Sequence, residues 1–160
     1  MVSVPMLENK LTHMANAQPA SRLVQEALAA LLLKASSRDG DFGPEEVLLV
    51  ISLLSETFGL DEDSTRALIK EAYALMEKTL LPDPFIKIIR DAYARESCIY
   101  AMYLLWRVVL TDGKVGKLES SYVSDVRIRL GLSEEDDHIA RNAARAATPR
   151  IKKEVPVSKP

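Results

Sequence analysis

The sequence predicts an all-α fold: a compact bundle of seven or eight helices built from two pseudo-symmetric helix–loop–helix repeats. Three observations predict it. Apolar residues recur at helical spacing almost throughout, as in Val24, Leu28, Leu31, Leu32 and Ala35, or Val47, Val50, Ile51, Leu54 and Phe58, and no stretch alternates as a strand does. Aromatic residues are few (Phe 3, Trp 1, Tyr 5 in 160) while Leu, Ala and Val are abundant, which favours helices over a sandwich or barrel. The chain also nearly repeats itself after 73 residues, as shown below.

In order, the spacing predicts a leading helix over 6–17, then helices near 20–38, 44–58, 62–80, 85–95, 97–111, 118–130 and 134–147. The first segment ends at Pro19, because proline removes a helical donor. Gly59 and Gly131 stand where a helix terminus calls for a left-handed residue, and Pro82 with Pro84 stops the long middle helix. Each break is short, so neighbouring helices should pack antiparallel. Residues 1–147 are expected to form one domain, in which the helix 6–17 precedes repeats at about 24–64 and 97–136. From 148 to 160 the text has three prolines and no apolar period, the pattern of a flexible basic tail.

Charge narrows the partners. Twenty-one basic and 23 acidic residues leave a net charge of −2. Residues 150–160 hold four basic residues and one acidic, so the remainder of the chain carries −5. Nucleic acid is therefore not an expected partner, since phosphate recognition normally shows a clear basic excess. The basic strip Arg141, Arg145, Arg150, Lys152 and Lys153 spreads five charges over 13 residues, a weak anchor for any polyanion. The longest apolar runs, 27–33 and 99–106, fall short of the roughly 20 residues of a membrane span, and the amino terminus does not read as a secretory signal. With the single cysteine Cys98 no internal disulfide forms, and a cytoplasmic setting is expected.

Leu32–Glu46 reads LLKASSRDGDFGPEE and Leu105–Glu119 reads LWRVVLTDGKVGKLE. In register, Asp39-Gly40 matches Asp112-Gly113, Phe42 matches Val115, Gly43 matches Gly116, and Glu46 matches Glu119. Each copy then runs through a helix to Gly-Leu (Gly59-Leu60 and Gly131-Leu132) and an acidic helix start, Asp61–Ser64 or Ser133–Asp136. A leading apolar helix, a D-G-x-Φ-x-x-x-E loop (Φ an apolar residue), a second helix and Gly-Leu before an acidic start, all present twice, resemble the TerB-like tellurite-resistance domain over about residues 24–146. The same doubled signature resembles the amino-terminal domain of the DjlA co-chaperones. The chain departs from that pattern just before the second helix of each copy, where Gly43 and Gly116 replace the usual Ser or Thr.

Two readings account for the repeated loops. In the first they only cap helices: Gly40 and Gly113 supply positive φ, Gly43 and Gly116 act as N-caps, and Pro44 opens a helix. Glu46 and Glu119 then fall at N3, where a carboxylate reaches back to the cap N–H and meets the positive end of the helix dipole. In the second, Asp39, Asp41, Glu46, Asp112 and Glu119 are hard oxygen ligands for a divalent cation (calcium, magnesium or zinc), with both loops converging on one side. The TerB resemblance implies this second possibility through an acidic, metal-binding surface. The spacing is not that of an EF-hand, because Asp39 directly precedes Gly40 and Glu46 follows that glycine by six residues. Asp61–Asp63 and Glu134–Asp137 read as first-turn acids serving helix dipoles, since the helix 44–58 spans about 22 Å and holds Asp61 far from Asp39.

Other candidates are weaker. His13 and His138 have no partner at zinc-ligand spacing. Cys98 lies on a strongly apolar helix as a small buried thiol. Tyr93, Tyr100, Tyr103 and Trp106 read as core aromatics, with a pocket for a small apolar ligand beside Trp106 as the alternative. No phosphate loop, nucleophile elbow or activated nucleophile is legible, so the expectation is a protein that is not an enzyme. That protein is expected to serve tellurite resistance or stress response through protein partners, with a divalent cation at the paired loops. The alternatives are a pure interaction module akin to the DjlA domain and a small-ligand-binding helical domain.

Overall fold

A computed structural model of the chain describes residues 21–36, 44–79, 83–111 and 117–148. Seven helices occupy these residues: α1 Arg22–Ser36, α2 Pro44–Phe58, α3 Glu62–Lys78, α4 Asp83–Ala92, α5 Arg95–Val109, α6 Lys117–Leu130 and α7 Glu134–Ala147. No strand occurs among the described residues, so the all-α expectation holds. The predicted helix 6–17 and the tail from 149 onward lie outside the described residues. No described helix is long and apolar enough to cross a membrane.

Two helices are central because their sequences have no polar face. Every residue from Ala27 to Leu33 of α1 is buried, as is every residue from Ser97 to Trp106 of α5. A helix that is apolar all round must be covered all round. Accordingly α1 packs against α2, α3, α4, α5 and α6, while α5 packs against α1, α2, α6 and, most extensively, α7. The covering helices are one-sided. In α3 the buried positions are Thr65, Leu68, Ile69 and Ala72, an i, i+3, i+4, i+7 stripe, and in α7 they are Asp136, Ala140, Ala143 and Ala144.

The helix ends explain the boundaries. Gly59 and Gly131 have φ of 65° and 78°, the left-handed conformation that only glycine adopts without strain. At both ends the following leucine turns back in the Schellman manner: Leu60 N–H donates to Ser55 C=O and Leu132 N–H to Arg127 C=O, both at 3.1 Å. The side chain of the accepting residue then closes the turn, Ser55 Oγ donating to Leu60 C=O at 2.6 Å and Arg127 Nη1 to Leu132 C=O at 2.9 Å. The next helix starts on a side-chain cap in each case: Asp61 Oδ1 accepts from Ser64 N–H, and Ser133 Oγ accepts from Asp136 N–H. These bonds hold Asp61 below the ordinary carboxylate range. Several boundaries differ from expectation by one to three residues: α1 spans Arg22–Ser36 rather than 20–38, α3 ends at Lys78 rather than 80, α5 spans Arg95–Val109 rather than 97–111, and α6 starts at Lys117 rather than 118. Helix α4 spans Asp83–Ala92 rather than 85–95, taking Pro84 into its first turn, where the missing N–H costs no helical bond.

Candidate functional site

The two Asp-Gly loops connect α1 to α2 and α5 to α6. Asp39, Asp41 and Asp112 lie outside the described residues. Of the helices that carry the other two candidates, α2 begins at Pro44, as the spacing predicts, and α6 at Lys117, one residue earlier than predicted. Glu46 and Glu119 are thus each the third residue of a helix, the position from which a carboxylate serves the helix start. Glu46 is half-buried.

A buried hydrogen bond relates elements that flank these loops. Tyr122 Oη, on α6, donates to the Leu31 carbonyl of α1 at 3.0 Å, across 91 residues of sequence. Leu31 precedes the end of α1 by five residues and Tyr122 follows the start of α6 by five, so each lies about 7.5 Å from its helix end. The bond thus ties the second half of α1 to the first half of α6. Sequence reasoning did not single out Tyr122, because a tyrosine on an apolar stripe looks like any core aromatic until its hydroxyl is seen to have a partner.

The later acidic clusters serve helix starts, as expected, and one of them does more. Asp136 completes a capping box by accepting from Ser133 N–H at 3.0 Å, and its buried carboxylate also receives a forked contact from the Arg95 guanidinium of α5. Burial is the strongest single influence on Asp136 and pushes its pKa up, but the bonds from Ser133 and Arg95 outweigh it and leave the group below its ordinary value. Arg95 stands 73 residues after Arg22, the period of the repeat. Arg22 likewise opens a leading helix and reaches the third helix of its unit, meeting Glu71 at 2.9 Å. That equivalence was available in the sequence by extending the repeat register back to residue 22. Beside Glu71, Glu26 has a raised pKa, chiefly through its hydrogen bond with the Glu71 carboxyl and then through burial, against the pull of Arg22.

The aromatic candidates are engaged in the core. Trp106 is 4% exposed, donates Nε1–H to Asp137 Oδ1 at 2.9 Å, and has the Arg141 guanidinium 4.9 Å above its ring. Tyr103 is 1% exposed, tilts against Tyr100 at 5.3 Å, and accepts from Arg107 Nη1.

Cys98 is buried, and burial raises its pKa to about 11 even though Arg90 pulls the other way. At pH 8 such a thiol holds on the order of 100-fold less thiolate than an ordinary cysteine. A disulfide reagent such as Ellman's should therefore label the native protein at least that much more slowly than the unfolded chain. Equal rates in buffer and in denaturant would contradict this placement.

Compared with known proteins, residues 25–142 match the family model described as tellurite resistance protein TerB. No curated protein and no solved structure matches the chain.

Proposed function

Because the chain belongs to the TerB tellurite-resistance family, matched over well more than half its length, we propose that it acts without catalysis in the cytoplasm, by binding a protein partner and a divalent cation. The cation would be held by Asp39, Asp41, Glu46, Asp112 and Glu119. All five are hard carboxylate donors, which suits calcium or magnesium better than zinc.

The observation that carries this reading is the Tyr122–Leu31 hydrogen bond. It ties α1, from which the first loop departs, to α6, at which the second arrives, through residues five positions from the helix ends concerned, and this supports a site shared by the two loops. Nothing comparable supports a direct reaction with tellurium oxyanions, which a domain of net charge −5 repels.

Calorimetry tests the proposal. Titrating calcium, magnesium, manganese and zinc into pure protein should give saturable heat with at least one of them, and Asp39→Asn combined with Asp112→Asn should weaken that binding tenfold or more. Flat titrations with all four ions, or unaltered binding by the double variant, would sink the cation reading. If the loops only cap helices, Glu46→Ala and Glu119→Ala should each lower stability by about 0.5–2 kcal/mol in chelator, with no response to added metal.

A further inference from the structure

The second half of α7 carries two arginines that no carboxylate neutralises among the described residues. Arg141 is half-buried, its guanidinium carbon stands 4.9 Å from the centre of the Trp106 ring, and its Nε is buried without a hydrogen-bond partner. Water cannot reach that N–H, so part of the charge is desolvated and only the ring face answers it. The helix offers one acid at the right spacing, Asp137, four residues earlier. Its carboxylate is taken by Trp106 Nε1–H at 2.9 Å, and no ion pair joins it to Arg141 among the described residues.

Arg145, one turn further on, is exposed. It lies in the last turn of α7 and meets the negative end of the helix dipole, which answers part of its charge. Arg141 stands about 9 Å short of that end, beyond the turn over which the dipole acts. Two cations at i and i+4 share one helix face about 6 Å apart and repel each other. An anion between them turns that repulsion into two attractions. A carboxylate balances one charge with two oxygens, whereas a phosphoryl dianion balances both and offers three oxygens to the Nη groups, a pairing that guanidinium geometry favours.

The exposed acids Glu134 and Glu135 stand six or seven residues before Arg141, about 9–11 Å along the axis and beyond the screening length of about 8 Å. The net charge of −5 therefore governs distant approach rather than contact at this face. A nucleic acid or an anionic membrane engages a broad basic face, of the order of four to eight cations, so two arginines suit a small ligand.

We propose that Arg141 and Arg145 form a binding site for a small phosphate-bearing ligand, free phosphate or a soluble phosphate monoester, on the face of α7 beside Trp106. The site does not depend on the cation at the loops.

Trp106 is the only tryptophan of the chain, so its emission reports on the guanidinium above it. Titrating sodium phosphate into the full chain at mildly alkaline pH, with ionic strength held by sodium chloride, should change that emission saturably. Acetate should bind at least tenfold more weakly. Arg141→Gln, which keeps an amide donor without the charge, should weaken phosphate tenfold or more, and Arg145→Gln about threefold. Because Arg141→Gln also alters the surroundings of the reporter, the same affinities are read by calorimetry. Should Arg141→Gln fail to fold by circular dichroism, Arg145→Gln, at an exposed position, decides in its place. Arg129→Gln, which removes an arginine already paired with Asp125, should bind phosphate as the parent does. Absent saturation, a response that chloride reproduces, equal binding of acetate, or unaltered affinity in the Arg141 and Arg145 variants would overturn the proposal. So would binding of vesicles containing phosphatidic acid together with indifference to free phosphate.

Discussion

Replacing Asp136 by alanine should lower stability by about 2–4 kcal/mol, because one carboxylate closes the capping box of α7 and also receives Arg95 from α5. For a chain of this size that corresponds to a fall in melting temperature of roughly 5–15 °C. The cost lies below the upper range for a broken buried pair, because Arg95 is 65% exposed and regains water when its partner is removed. Asp136→Asn keeps the shape and an acceptor for Ser133 N–H, so it should cost about half as much. The pH dependence follows from the sign. A carboxyl whose folded pKa lies below its unfolded value contributes fully above the unfolded value of about 4, and its contribution is lost as pH falls from there through the folded value. Urea titrations at pH 7 and pH 3 should therefore show the wild-type advantage over Asp136→Asn shrinking in acid. A gap that stays constant, or widens, would contradict the account. Glu26 has the opposite sign: its contribution is present below its unfolded value and fades as pH rises through the raised folded value. It therefore acts in a different pH window.

Trp106→Ala should cost about 3–5 kcal/mol, the range for deleting a large aromatic from a close-packed interior. Three losses add here: the ring between α5 and α7, the Nε1–H bond to Asp137, and the surface on which Arg141 rests. Trp106→Phe separates them, since it keeps most of the packing and removes the donor. It should cost about 1–2 kcal/mol. If Trp106 instead walled a ligand pocket, the alanine variant would be tolerated to within about 1 kcal/mol and would accept a small aromatic such as indole at the enlarged site. Denaturant melts, with and without indole, decide between these outcomes.

The helix ends show how much of this fold is local chemistry. Gly59 and Gly131 mark left-handed termini, and Asp61 and Ser133 act as caps, because each depends on residues no more than five apart. The two uninterrupted apolar runs likewise announced the two central helices, since a helix with no polar face has to be enclosed. The family was also legible, because the doubled Asp-Gly and Gly-Leu signatures are properties of the text. The contacts across the bundle were not. Arg95 and Asp136 are 41 residues apart, Trp106 and Asp137 31, and Tyr122 and Leu31 91, and helical periodicity carries no information about which faces meet at such separations.

What the sequence alone determined about this protein is its helical class, most of its helix ends, its charge distribution and its TerB signature, all of which arise from short-range sterics, capping and burial of apolar stripes. Only the tertiary structure decided which acid is a buried partner and which merely caps. It also decided that Trp106 is core and that a tyrosine hydroxyl on α6 is bonded to the backbone of α1. The reason is physical: a side chain's hydrogen bonding and desolvation depend on the helix packed opposite it, and that neighbour is set by how whole apolar faces close on one another.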